Sequence, residues 1–239
     1  FNCHDIVLSD DLKISGEQLA GNYEYGVDPE VAGFFAEEIK QVVAAGCQVA
    51  VVIGGGNMVR GKELAGNGIR RVTADQMGML SGLINAMAST DIFEAHGVET
   101  RCLSNIFAEQ LAESYSFRLA TKHLENNRVV LVAGGIARPY FTHDTAAVSM
   151  GLELGVDAVL KATKVDGIYD KDPNKFDGAN LFTELTYQQA IENTDISVMD
   201  KAALGLALEQ EQPLIVYNAT KPGNLLKIVK GEEVGTRIG

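Results

Sequence analysis

The sequence predicts an α/β protein, a three-layer αβα sandwich with a mainly parallel central sheet. Three observations carry this expectation: short apolar runs alternate with longer helix-period segments, the runs are hydrophobic on both faces, and glycine-rich or polar turns follow them directly. "QVAVVI" (48–53), "VVLVAG" (129–134), "AVLKAT" (158–163) and "LIVYNA" (214–219) read as strands, each too apolar for a half-exposed antiparallel strand. Segments 29–45, 74–96, 116–126, 144–154 and 198–210 read as helices, and their alternation with the strands implies right-handed crossovers and a sheet covered on both sides. No repeat or linker divides the chain, so residues 1–239 read as one domain.

Helix 74–96 is the most regular of these. Met77, Leu80, Ile84 and Met87 recur at steps of three and four, while Gly78, Gly82 and Ala86 recur at four and allow a close neighbour. Packing onto the sheet and a contact between subunits both fit this pattern. The stretch "VDGIYDKDPNKFDGANL" (165–181) is polar and turn-rich around Pro173, and reads as a hairpin reaching over the sheet edge.

Composition narrows the function. The 239 residues carry a formal net charge of −12, which argues against non-specific wrapping of nucleic acid, because each phosphate contact would be made inside a repulsive field. A phosphate site must then be local, built from a few Lys, Arg and backbone N–H groups. No stretch approaches the roughly 20 apolar residues of a membrane span, and the expected location is the cytoplasm. Cys3, Cys47 and Cys102 are odd in number and far apart, which suits small buried hydrophobes better than bridges or metal ligands.

In open α/β sheets ligands bind beyond the carboxyl ends of the strands, so the residues after each apolar run are where chemistry is expected. After 48–53 come Gly54, Gly55, Gly56 and Asn57, then Arg60. Glycines without Cβ atoms let N–H groups converge on an anion, and the guanidinium strengthens that reading over a purely steric turn. The Lys-Ser/Thr pair of a Walker loop is missing, as is the spaced glycine fingerprint of dinucleotide folds. Near the N-terminus, "LKISGEQ" sets Lys13 before Ser15 and Gly16, where an ammonium meets a phosphate and stays fixed as charge moves; in isolation a surface lysine is the simpler reading. After 129–134, "GGIARPYFTHDTAA" supplies Thr142, His143 and Asp144 at a helix start, where an Asp is most often a cap. After 158–162, "KATKVDGIYDKDP" supplies Lys161, Thr163, Tyr169 and Asp172, which suit a Mg-nucleotide or, equally, a solvated hairpin.

The order of these pieces is distinctive. "LKISGE", "VVIGGGNMVRG", "DQMGML", "PYFTHDTAA", "KATKVDGIYDKDP", "VMDKAAL" and "KPGNLLKIVKGEEVGTRI" together resemble the bacterial UMP kinase family of the amino-acid kinase superfamily, from about Leu12 onward. The resemblance implies transfer of the γ-phosphoryl of ATP to UMP, with Mg2+ held mainly by nucleotide phosphates, a homohexamer built as a trimer of dimers, and GTP and UTP as effectors. It puts Lys13, Ser15 and Gly16 on the ATP phosphates, with Lys13 stabilising the transferring group. Gly55 and Gly56 lie where donor and acceptor phosphates meet, and Arg60 neutralises their charge. It assigns Asp75 to the UMP ribose, and Ile136, Ala137, Arg138, Pro139, Tyr140, Phe141, Thr142 and His143 to UMP. Asp144 goes to the reacting centre, Lys161 near the phosphates, and Thr163, Tyr169 and Asp172 to the ATP nucleoside. A nucleoside monophosphate is already an anionic nucleophile, so such a site needs positioning and charge neutralisation rather than a strong base. Asp144 then orients a cation or a lysine.

Two departures from the family pattern bear on this reading. Asp10 and Asp11 stand where the family runs an apolar strand into the lysine. Adjacent carboxylates in a buried strand carry a severe desolvation cost, so the first strand is expected to start near Leu12 or the first eleven residues to leave the family path. In the acceptor loop, Ile136, Arg138 and His143 replace a Thr, an Asn and a Thr, which weakens the case for UMP more than that for phosphoryl transfer. Competing readings are a kinase of the superfamily with another acceptor and a catalytically silent nucleotide- or oxyanion-binding member.

Overall fold

Each buried strand feeds two cores at once, because successive side chains of a strand leave on opposite faces. In a computed structural model, which describes residues 5–9, 19, 26–59, 68–192 and 199–239, the elements run in chain order as follows. They are β1 (Asp5–Ser9), α1 (Pro29–Ala44), β2 (Gln48–Val52), α2 (Arg71–Ala95), β3 (Thr100–Ser104), β4 (Glu113–Ser114), α3 (Phe117–Glu125), β5 (Val129–Ala133) and α4 (His143–Leu154). There follow β6 (Ala158–Thr163), β7 (Ile168–Tyr169), β8 (Leu181–Phe182), β9 (Glu184–Leu185), α5 (Tyr187–Glu192), α6 (Lys201–Gln210), β10 (Leu214–Asn218), α7 (Asn224–Val229) and β11 (Thr236–Ile238).

Among the described residues the main sheet has the strand order β4-β3-β5-β2-β1-β6-β10-β11-β9. Its neighbours are parallel except β10 with β11, which run antiparallel. Val49 and Val51 of β2, with Val129 and Leu131 of β5, point into a core shared with α1, α2 and α7. Ala50, Val52, Val130 and Val132 point into the opposite core, shared with α3, α4, α5 and α6. This double burial is why the strands read as unbroken apolar runs, and it makes the three layers expected from the sequence.

The expectation for the N-terminus needs correction. The first strand lies earlier than Leu12, at Asp5–Ser9, in the centre of the sheet between β2 and β6. Asp10 and Asp11 therefore follow it and lie outside the described residues. The apolar run at Ile6–Leu8, to the N-terminal side of these carboxylates, is part of the strand.

Helix α2 begins one turn earlier than the apolar repeat implied and presents an unexpected face. Leu80 and Ile84 are 56% and 54% exposed, while Ser81, Gly82, Asn85 and Ala86 are buried. A Cβ on Gly82 would meet the Ile53 carbonyl at 3.1 Å, so this glycine serves close packing within the chain. The 165–181 segment is a hairpin as expected, with Ile168–Tyr169 pairing antiparallel with Leu181–Phe182. Its base is fixed to β11, where the Ile168 N–H donates to Thr236 Oγ1 at 2.8 Å.

Candidate active site

Because β3, β5, β2, β1, β6 and β10 run parallel, the turns that follow them emerge at one end of the sheet. The three loops singled out in the sequence and visible here, 54–59, 134–142 and 164–167, therefore share that end. Lys13, Ser15, Gly16 and Arg60 lie outside the described residues.

The glycine turn is built against α2. A Cβ on Gly55 would fall 2.3 Å from the Gly78 carbonyl oxygen and 2.6 Å from the Gly82 nitrogen, so no other residue fits there. Ser81 Oγ donates to the Gly55 carbonyl at 2.7 Å, and Asn85 Nδ2 donates to the Gly54 carbonyl at 2.7 Å. Asn85 and Asn57 also exchange a reciprocal pair of side-chain hydrogen bonds, at 2.7 and 3.0 Å. Asn57 Nδ2 reaches on to the Gly26 carbonyl at 2.8 Å, tying the turn to the segment that leads into α1.

The centre of the site is a buried ion pair. Lys161 near the end of β6 and Asp144 in the first turn of α4 are 7% and 2% exposed, and Lys161 Nζ donates to both carboxylate oxygens, at 2.9 and 2.8 Å. An unpaired charge of either sign at this depth costs several kcal/mol, so each residue fixes the other's charge state and position. Asp200, the N-cap of α6, closes the cluster. Its backbone N–H donates to Asp144 Oδ2 at 3.2 Å, and its carboxylate accepts from Ala203 N, Thr145 Oγ1 and Thr142 Oγ1. Thr142 in turn caps α4 through the Asp144 N–H at 3.1 Å. Sequence reasoning used Asp200 only within the motif "VMDKAAL" and inside the helix expected over 198–210; in the structure it caps a helix that starts at Lys201, and nothing local marks its convergence on Asp144.

The loop after β5 is strained and tethered. Ala137 and Tyr140 take positive φ angles of 55° and 71°, unusual for residues with side chains. The Tyr140 N–H donates to Asp75 Oδ2 at 2.9 Å, Asp75 Oδ1 accepts from Arg71 Nε at 2.7 Å, and the Arg71 guanidinium lies 5.5 Å from the centre of the Tyr140 ring. Asn105 Nδ2 holds the Gly135 carbonyl at 2.6 Å. Ile136, Ala137, Pro139 and His143 are half-buried, whereas Arg138, Tyr140, Phe141 and Thr142 are exposed. Asp75, expected at a ribose, is thus also the anchor of the loop expected to hold the nucleotide.

Beyond β6, the Thr163 hydroxyl, with a single hydrogen to donate, lies within hydrogen-bond distance of the Val165 and Tyr217 carbonyls, at 2.6 and 3.1 Å. Tyr169 sits half-buried in β7, and Asp172 accepts from the Asn174 N–H at 2.9 Å in a local turn. Asp166 pairs with Lys221 at 2.6 Å and accepts from Asn218 Nδ2, and the Lys221 contact holds its carboxyl below the usual range. This clasp joins the ends of β6 and β10 and was not foreseen from the sequence. On the far side of the 219–223 turn, the buried Glu38 of α1 accepts from the Gly223 N–H at 2.8 Å, and burial raises its pKa.

Fold and geometry together define the class: an open, mainly parallel α/β sandwich with a glycine turn and a buried Lys161–Asp144 pair at the carboxyl end of its strands. The amino acid kinase family model matches residues 12–218. A uridylate kinase of Dichelobacter nodosus is 47% identical over 227 residues, covering 95% of this chain and 94% of its own length, and one of Wolinella succinogenes is 46% identical over 222 residues, covering 92% of each. Among solved structures, a UMP kinase from Bacillus anthracis superposes with a TM-score of 0.93 at 33% identity, covering 100% of this chain and 97% of that one. The chain belongs to the amino acid kinase family, in its uridylate kinase branch.

Proposed function

We propose that this protein transfers the γ-phosphoryl group of ATP to the 5′-phosphate of UMP. An oxygen of the UMP phosphate forms the new bond to Pγ, the bond from Pγ to the β,γ-bridging oxygen breaks, and UDP and ADP leave. The observation that carries this reading is the kinship with uridylate kinases across nearly the whole chain, joined to a glycine turn and a buried Lys161–Asp144 pair at one end of the sheet. Transfer of this kind needs two polyanions brought into line and their repulsion cancelled, and backbone N–H groups and fixed cations supply that without a strong base.

In this reading Lys13, Arg60 and Lys161 neutralise the phosphates, Gly55 and Gly56 present backbone to them, and Asp144 holds Lys161 in place. Asp75 and residues 136–143 take UMP, with Arg138 toward its phosphate. Ser15, Gly16, Thr163, Tyr169 and Asp172 take ATP. Both oxygens of Asp144 accept from Lys161, and among the described residues no cluster of three His, Cys, Asp or Glu side chains is gathered for a metal. In this reading magnesium enters with ATP, held mainly by the nucleotide phosphates, and when bound would supply charge neutralisation there. The exposed Leu80 and Ile84 of α2 support assembly through that face, within a homohexamer answering to GTP or UTP. Among the described residues no helix is long and apolar enough to cross a membrane.

A coupled assay of ADP release with each nucleoside monophosphate tests the reaction. UMP-dependent release is expected, and tight ATP binding with no acceptor-dependent release overturns it. Arg138→Asn tests the altered loop, with a raised KM for UMP as the expected outcome.

A further inference from the structure

We propose that Asn85, assisted by Ser81, is a positioning residue for phosphoryl transfer: from the buried face of α2 it sets the direction of the Gly55 and Gly56 N–H groups. The proposal deepens the proposed function and rests on its placing of these glycines at the phosphates.

In a trans peptide unit the carbonyl and the following N–H point in opposite directions, and no described peptide bond is cis. Asn85 Nδ2 fixes the Gly54 carbonyl toward α2, so the Gly55 N–H points away from that helix. Ser81 Oγ fixes the Gly55 carbonyl the same way, so the Gly56 N–H also points away. Neither N–H takes a partner among the described residues. Two side chains one helical turn apart thus orient two adjacent donors without approaching what those donors bind.

Asn85 suits this task because its amide is fully used. It is 0% exposed; one Nδ2 hydrogen goes to Gly54 and the other to Asn57 Oδ1, while its Oδ1 accepts from Asn57 Nδ2. Glycine turns are otherwise the most conformationally free part of a chain. Here the freedom is removed from behind, by a helix whose backbone also blocks any Cβ on Gly55. A buried amide on a face that would otherwise be filled by apolar side chains costs stability unless fully bonded, and here the bonded amide fixes the donors that the reaction uses.

The test is steady-state kinetics on the intact protein. Asn85→Asp keeps the shape but replaces both donors with an acceptor, and Ser81→Ala removes one hydroxyl. The expected result is a kcat about a hundredfold lower for Asn85→Asp and about tenfold lower for Ser81→Ala, each with KM for ATP and UMP within about threefold of wild type. A purely structural role would lower the amount of folded protein and leave the kcat of the folded fraction, titrated by nucleotide binding, unchanged; that result overturns the proposal. So does a kcat within twofold of wild type in both variants, or a loss confined to KM. If Asn85→Asp does not fold, Ser81→Ala decides alone. A wild type with no acceptor-dependent ADP release overturns the underlying reaction as well, which separates that failure from a failure of positioning alone.

Discussion

Around Asp144 the chain gathers charged and hydroxyl groups from three places: Lys161 from β6, Thr142 and Thr145 from the start of α4, and Asp200 from the start of α6. In the hairpin the groups are as dense, but Asp170 bonds Asn180 across the turn and Asp172 bonds Asn174 and Lys175, all within the same short segment. The first cluster is buried at Asp144, Thr145 and Lys161 and spans up to 58 positions of sequence, whereas the second is local and solvated. In sequence both read as polar stretches following an apolar run. The difference teaches that a site is made where the topology removes water from charges that the chain keeps far apart.

The sharpest way to break this contrast is to remove one member of the buried pair. Lys161→Ala leaves the Asp144 carboxylate without its ammonium partner and should cost about 3–5 kcal/mol in denaturant unfolding, with kcat falling at least a hundredfold in whatever remains folded. A loss below about 1 kcal/mol would place Lys161 among ordinary surface lysines. Asp200→Ala comes next: the lost cap should cost about 1–2 kcal/mol, and freeing Thr142 should raise the KM for UMP more than that for ATP.

Asp166 lies between the two extremes, partly exposed and paired with Lys221. Its folded pKa is lowered, chiefly by the hydrogen bond from Lys221. Its contribution is therefore fully present above the ordinary carboxylate pKa and is lost as pH falls through the lowered value. Asp166→Asn should be less stable than wild type by about 0.5 kcal/mol at neutral pH, and acid titration of the two should show that gap closing as pH falls below the ordinary carboxylate range. A gap that widens in acid would reverse the assignment. The smallest effect on stability is expected for Asp172→Ala, with an unchanged denaturation midpoint; a raised KM for ATP in that variant would show that a locally bonded carboxylate also serves the nucleotide.

Much of the fold was legible because its strands are buried on both faces. The runs at 48–53, 129–134, 158–163 and 214–219 needed no partner to be recognised, and the five expected helices lie within three residues of their predicted ends. β1 was not legible because its apolar stretch, Ile6–Leu8, is short; its place follows from pairing with β2 on one side and β6 on the other. β3 mixes Thr100 and Arg101 with Cys102 and Leu103, and β4, β7, β8 and β9 are two residues long, below what periodicity detects. Of the candidate site, Asp144 and Lys161 were legible by motif. Asp200 as an acceptor of two threonines, the Asp166–Lys221 clasp, and Asn85 with Ser81 were not, since each acts on a partner distant in sequence. Ser81 and Asn85 left only one trace, polar residues four apart in the otherwise apolar and small-residue stretch 77–88 of the helix.

The sequence by itself determined the layers, the parallel sheet and the family, because hydrophobic periodicity and short motifs are local and each element writes its own burial into its residues. Tertiary structure alone decided which polar groups lose their water and meet: the pairing of Lys161 with Asp144, the outward turn of Leu80 and Ile84, and the grip of α2 on the glycine turn. Those outcomes depend on distances between elements, and the energy of a buried charge or amide is set by its neighbours in space rather than in sequence.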